Sequence, residues 1–316
     1  MTREELLAKH GQPVQVLDHG HVRLVDVMGD DERVEQVARL SYQQGTRKVS
    51  ETRSLLRYLI RHRHTSPLEQ AVITLDMKMP IFVARQLVRH RTQSINELSG
   101  RYSEMPEEFY VPDKFYSQST TNKQGRGDEL DPRFSVYSRQ DARQCAENAF
   151  DAYREMRARN VARETARMVL PLSTYTQWCT TMNLHNLLHM LELRLDPHAQ
   201  WECRMYAEAI AKIVEDWCPI IWEAFVDYRL EAVTFSREEV KFIREQLDAH
   251  SYCVELPLSE QVKGLDLSAR EREEFLAKLG VEGPAPAATR GRTTTTRAAA
   301  TTPSVASAPV PNSPLT

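Results

Sequence analysis

The sequence predicts an α+β fold: a modest mixed or antiparallel sheet flanked by helices, a helix-rich C-terminal half and a disordered tail. Three observations carry this. Strand patterns lie mostly before Pro80, helical periodicity dominates after Asp141, and residues 283–316 are dominated by Pro, Ala, Thr and Ser. Early strands with helices around and after them bury their apolar faces best as one sheet packed against helices.

Taken in order, residues 14–17 and 22–27 read as a hairpin turning at Asp18-His19-Gly20. A helix follows over residues 31–42 and another over 51–63, where Leu55, Leu56, Leu59 and Ile60 recur at helical spacing. The polar run His64-Thr65-Ser66-Pro67 ends it. Residues 70–79 alternate, with Ala71, Ile73, Leu75, Met77 and Met79 on one side and Val72, Thr74, Asp76 and Lys78 on the other, the pattern of a strand with one buried face. Pro80 opens a helix expected to reach Arg91, and residues 92–102 form a loop dense in donors and acceptors. Residues 116–132 read as a polar surface insertion with no assigned role. A long charged helix spans 141–169, residues 173–182 are β-prone, and Asn183 caps a helix that runs to Arg194. Helices over 199–217, 220–230, 237–247 and 269–279 complete the body, the last with a Ser268/Glu271 capping box. The tail has no acidic or aromatic residue and cannot bury enough apolar surface to offset its ordering entropy, which leaves residues 1–282 as one domain.

Composition narrows the function. The 41 Lys and Arg set against 44 Asp and Glu give a net charge of −3, which argues against the broadly basic surface of a nonspecific nucleic-acid binder. Five cysteines without a Cys-x-x-Cys pair fit neither a disulfide framework nor a zinc knuckle, and read as reduced thiols. No segment approaches a membrane span, so a cytoplasmic protein without membrane or nucleic-acid partners is expected.

On a helical wheel Ile81, Val83, Ala84, Leu87 and Val88 share one arc, while Arg85, Gln86, Arg89 and His90 share the other. Arginines suit a phosphate because the guanidinium fork donates two parallel charge-assisted bonds. The plainer account is a solvated basic helix end, favourable with the helix dipole. Two rivals stand beside a nucleotide enzyme. His185, His189 and Glu192 share a helix face at i, i+4 and i+7, which suggests a metal-dependent nucleotide hydrolase. Arg85, Arg89, Arg91 and Arg101, with Tyr102, suggest an RNA-binding or nucleotide-sensing module. Ser99 lacks an adjacent general base and reads as a ligand contact rather than a nucleophile. The cysteines read as buried structure without an activating neighbour, the four tryptophans as packing anchors, and His198, Gln200 and Glu202 as one structural hydrogen-bonded cluster.

The run Arg89-His90-Arg91-x-x-Ser94-x-Asn96-Glu97-x-Ser99-x-Arg101-Tyr102 resembles the signature of the flavin-dependent thymidylate synthases. Ala38-Arg39-Leu40-Ser41, His64-Thr65-Ser66-Pro67-Leu68-Glu69, residues 80–86, residues 164–171, Leu193-Arg194 and residues 198–202 are similar as well. The resemblance spans about residues 14–230 and implies a homotetramer with shared active sites. It implies FAD as cofactor, dUMP as substrate, and methylenetetrahydrofolate and NADPH as co-substrates. By position it places Gln86, Arg89, Glu97, Ser99, Gly100, Arg101, Arg167 and Arg194 on the nucleotide. Ser66, Arg89, His90, Arg91, Glu97, Asn183, His185 and His189 fall on FAD, with His64 near the flavin ring. Arg194 is the expected catalytic residue, stabilising the pyrimidine anion. His189 and His185 depart from members that carry asparagine and arginine there.

Overall fold

The structure, a computed structural model, describes residues 1–40, 52–249, 262–264 and 276. Ser41, Tyr42, Glu51, Cys253, the helix expected over 269–279 apart from Leu276, and the tail from 283 lie outside the described residues. The chain divides into two compact units, Met1–Ala232 and one beginning at Val233.

The first unit is built on one antiparallel sheet. Its strands are β1 (Val14–Val16), β2 (Gly20–Met28), β3 (Val72–Pro80), β4 (Ser94–Glu97) and β7 (Tyr175–Asn183), in the spatial order β1-β2-β3-β7-β4. A separate hairpin pairs β5 (Tyr116–Gln118) with β6 (Arg126–Glu129). The helices are α1 (Arg3–His10), α2 (Asp31–Arg39), α3 (Thr52–Arg61), α4 (Ile81–Leu87), α5 (Pro132–Ala158), α6 (Arg163–Ala166), α7 (Leu184–Arg194), α8 (Trp201–Trp217) and α9 (Pro219–Phe225), the last continuing as a π-helical turn, Val226–Leu230.

The alternation in β3 holds. Ile73, Leu75, Met77 and Met79 are buried, and they join Val22 and Leu24 of β2, Leu187 and Leu191 of α7, Tyr206 and Ile210 of α8 and Phe225 in one core. Removing this apolar area from water is the main favourable term holding the helices to the sheet. Asp76 breaks the pattern, buried although it belongs to the polar side. Burial pushes its carboxyl up, and hydrogen bonds from Gln177 (2.8 Å), His21 (3.2 Å) and Arg23 (3.1 Å) more than offset this, leaving it below the usual carboxylate range. Gly20 packs where a Cβ would meet the Tyr206 hydroxyl, which itself donates to Lys78 O at 2.8 Å.

Several elements differ from expectation. α1 is an added helix, stabilised by a Thr2/Glu5 capping box and anchored by buried Leu6 and His10. α4 stops at Leu87 instead of Arg91: the Leu87 carbonyl accepts from the His90 N–H (3.1 Å) and from the Gln93 side chain (2.8 Å), so the chain can leave the helix without an orphaned acceptor. Ser94–Glu97, expected in a loop, is an edge strand because β7 offers it a ladder, Ser94 opposite Thr181 through Glu97 opposite Trp178. The polar insertion contains the β5–β6 hairpin. α5 begins at Pro132, with Asp131 accepting from the Arg133 N–H at 2.9 Å, and ends before Asn160, which takes a left-handed φ of 61°.

The second unit opens with α10 (Arg237–Ala249), capped by Ser236 and Glu239. Phe242, Val262 and Leu276 are buried together, with Phe235 and Ile243 packed against them. Among the described residues no helix is long and apolar enough to cross a membrane.

Candidate active site

Asn183 ends β7 and caps α7, its Oδ1 accepting the Asn186 N–H at 2.9 Å. The helix so begun carries His185, His189 and Glu192 and ends in Arg194. Arg194 turns back onto the end of α4: its Nε donates to His90 Nε2 at 2.9 Å and its Nη2 to the Gln86 carbonyl at 3.2 Å. A guanidinium only donates, so His90 is the acceptor and its ring is neutral, with its proton on Nδ1. Burial is the main reason it stays so; together with the nearby Arg194 and His189 it pushes the imidazole down to about 4. The His90 and His189 rings lie 6.3 Å apart, edge to face. Gln86 donates its side-chain amide to Gln200, which donates in turn to Glu202 at 2.9 Å. The structure therefore gathers Gln86, His90, His189 and Arg194. It separates His198 from Gln200 and Glu202, since His198 bonds Asp196 at 2.9 Å instead of joining one cluster with them.

The other expected residues follow β4. Glu97 accepts the Thr176 hydroxyl at 2.7 Å, and the Leu98 N–H donates to Gln177 O at 2.8 Å. The chain then turns, with Tyr102 N donating to Ser99 O at 3.1 Å and Arg101 N to Ser99 Oγ at 3.3 Å. Among the described residues no general base is bonded to Ser99 Oγ. Gly100 is buried, and a Cβ on it would lie 3.0 Å from Met105 Sδ and 3.1 Å from Arg167 Cδ. The glycine thus lets Arg167 cross close to the backbone. Arg101 reaches Glu164 at 3.2 Å across the surface. Arg85, Arg89, Arg91 and Arg167 are exposed and make no ion pair among the described residues, which leaves their charges available to an anion.

A cavity of 320 Å³ opens between α3 and α7, at the low end of the ~300–1,000 Å³ of small-molecule sites. Leu59, Ile60, Leu68, Leu188 and Phe225 form apolar walls, and Arg63, Thr65, His185 and His189 give it polar edges. Apolar walls with imidazole and hydroxyl edges fit one ring system of a dinucleotide such as FAD. Ser66 opens the short 3-10 turn Ser66–Gln70 beside it and is exposed, as is His64, whose ring lies 5.4 Å from Tyr58. The same wall gives the metal-hydrolase reading no support. Glu192 is committed to Arg229 at 2.9 Å, and among the described residues no group of three His, Cys, Asp or Glu is placed to hold a metal ion.

The cysteines need a correction: Cys203 and Cys218 are buried, but Cys145 and Cys179 are exposed. Burial pushes the Cys203 thiol up to about 11 and raises Cys218 as well, the opposite of activation. Sequence reasoning missed Gln93, which joins the end of α4 to β7 by accepting from Thr180 at 2.8 Å, and it missed the bonding of Gln200 to Gln86. The only sequence signal for either was an amide next to a charged run.

The family model described as thymidylate synthase complementing protein matches residues 23–220. A flavin-dependent thymidylate synthase of Gluconobacter oxydans is 48% identical over 273 residues, 84% of this chain and 87% of that relative. The enzyme of the same name from Thermus thermophilus is 46% identical, covering 86% of this chain and 97% of its own. Among solved structures, a UMP/dUMP methylase from Streptomyces cacaoi bound with 5-Br UMP superposes with a TM-score of 0.62 at 34% identity, over 69% of this chain and 98% of that one. With the signature residues set around α4, β4 and α7 and relatives this similar along most of its length, the chain belongs to the flavin-dependent thymidylate synthase family.

Proposed function

We propose that the protein catalyses reductive methylation of dUMP to dTMP, with methylenetetrahydrofolate as one-carbon donor and NADPH as reductant, in the cytoplasm and as a homotetramer. Bound FAD supplies the hydride that completes the methyl group. The observation that carries the reading is the setting of Arg194, aimed by two acceptors, the Gln86 carbonyl on α4 and the neutral His90 just beyond it.

Carbon five of uracil is a weak nucleophile that becomes electron-rich when the proton on ring nitrogen three is lost. Arg194 stabilises that anion, and it can do so at any working pH because a guanidinium stays protonated. Gln86, Arg89, Arg101 and Arg167 hold the nucleotide, the arginines through its phosphate, while Glu97, Ser99 and Gly100 line the turn where backbone approaches it. Ser66, Asn183, His185 and His189 present their polar groups to the cofactor beside the apolar cavity, with His90, Arg91 and Glu97 completing its surroundings. His64 lies near the flavin ring, where the folate stacks. No protein thiol is needed, and burial holds the thiols of Cys203 and Cys218 away from the reactive thiolate.

The test is spectral and then kinetic. The purified protein is expected to absorb in the flavin band, to bleach with NADPH, and to form dTMP from dUMP and the folate. Arg194→Ala should keep its flavin and its bleaching but turn over about a hundredfold or more slowly at saturating dUMP, the scale of a lost transition-state donor. A variant within about tenfold of wild type, a loss of only ~1.4 kcal/mol, removes Arg194 from this role.

A further inference from the structure

Gln200 is not among the residues expected on a ligand, yet it is bonded to one that is. It is the N-cap residue of α8, but its side chain makes no capping bond to that helix. Its side chain instead bridges Gln86 on α4 and Glu202 in the first turn of α8. Chemistry sets the direction of both bonds. A carboxylate only accepts, so Gln200 turns its Nε2 to Glu202 and its Oε1 to Gln86. Gln86 must then donate, which leaves its own Oε1 and one N–H hydrogen uncommitted. A glutamine amide without such neighbours can present either edge, the two being related by a half-turn of the terminal torsion. The backbone carbonyl of the same Gln86 is held by Arg194, so the residue is fixed at both ends.

We propose that Glu202 and Gln200 form a positioning relay that decides which edge of the Gln86 amide faces the nucleotide. The relay rests on the reading of Gln86 as a nucleotide contact. Its effect falls on binding of the nucleotide and leaves reduction of the flavin alone, because neither Gln200 nor Glu202 is bonded to His90, His185, His189 or Asn183.

In the full-length holoenzyme, Gln200→Leu is expected to raise the KM for dUMP about five- to tenfold, the scale of one lost hydrogen bond. Turnover at saturating dUMP should stay within about twofold, as should NADPH oxidation without nucleotide. Glu202→Leu should repeat this pattern, whereas Glu202→Gln, which still offers a carbonyl acceptor, should restore the wild-type KM. The double variant Gln86→Leu/Gln200→Leu should bind dUMP no worse than Gln86→Leu alone, because the relay acts only through Gln86. An unchanged KM in Gln200→Leu, or additive losses in the double variant, overturns the relay. If Gln200→Leu does not fold, the two Glu202 variants decide, and equal KM values in them overturn it. Unsubstituted protein that fails to bind dUMP in equilibrium dialysis overturns the nucleotide reading itself, and is told apart because no substitution is involved.

Discussion

His90 accepts the Nε hydrogen of Arg194, a bond that only the neutral ring can make. Its imidazole is pushed down to about 4, by burial first and by Arg194 and His189 after that, from an ordinary value of about 6.5. Between these values the unfolded chain binds a proton that the folded one refuses. The stability linked to His90 is therefore fully present above about pH 6.5 and is lost as pH falls toward 4. The ring is only partly buried, so solvent screening reduces the effect to about 1–2 kcal/mol. Urea midpoints at pH 7.5 and 5 should differ less in His90→Asn than in wild type, and an identical pH dependence in the two would disprove the linkage. Gly100 offers a second test at this scale. In Gly100→Ala the atoms nearest the new methyl belong to flexible side chains, Met105 and Arg167, so the fold should lose only about 1 kcal/mol. Displacing Arg167 should weaken dUMP binding about tenfold, the worth of one hydrogen bond to a charged group. Unchanged affinity in a dUMP titration would show that Arg167 does not need the space.

Among the elements, the start of α7 is where a capping role and a proposed cofactor contact fall on one residue, Asn183. Asn183 spends its carbonyl oxygen on the Asn186 N–H, so its amide hydrogens are left for a ligand. Asn183→Asp keeps the acceptor and adds a charge favourable to the helix dipole, while Asn183→Ala loses the cap, at about 1 kcal/mol. The flavin-free Asp variant should melt close to wild type yet bind FAD about tenfold more weakly, having lost its donor. Equal FAD affinity in the two proteins would confine Asn183 to capping. This cap was legible in sequence, as were the alternation of β3 and the β-prone run of β7, because each signal is local. β4 was not: Ser94-Ile95-Asn96-Glu97 holds a single apolar residue, and its extended state comes from pairing with β7, far along the chain. The same holds for the site. The motif from Arg89 to Tyr102 could be read directly, but the bonds of Arg194 to His90 and Gln86 span 104 and 108 residues, and the end of α4 depends on a side chain reaching back from Gln93.

At the scale of the whole molecule, expected ligand residues form two groups within one chain. Gln86, His90 and Arg194 are hydrogen-bonded together where α4 meets α7, whereas beyond β4 Gly100 lies against Met105 and Arg167, and its neighbour Arg101 pairs with Glu164. A homotetramer with shared sites accounts for this division if one subunit lends the first group and a neighbour the second. Symmetric assembly then makes a test by complementation possible. Arg167→Ala and Arg194→Ala should each be nearly inactive alone, since each damages every site. Co-expressed in equal amounts, they should form mixed tetramers in which a site drawing its Arg194 and its Arg167 from different chains finds both intact about one time in four. Thymidylate formation should therefore recover to about a quarter of wild type per site, with tetramer mass checked by light scattering. If both arginines of a site come from one chain, every chain carries a defect and no mixture can recover. Co-expressed protein no more active than the better single variant would thus place the two groups in one subunit's site and defeat the shared arrangement.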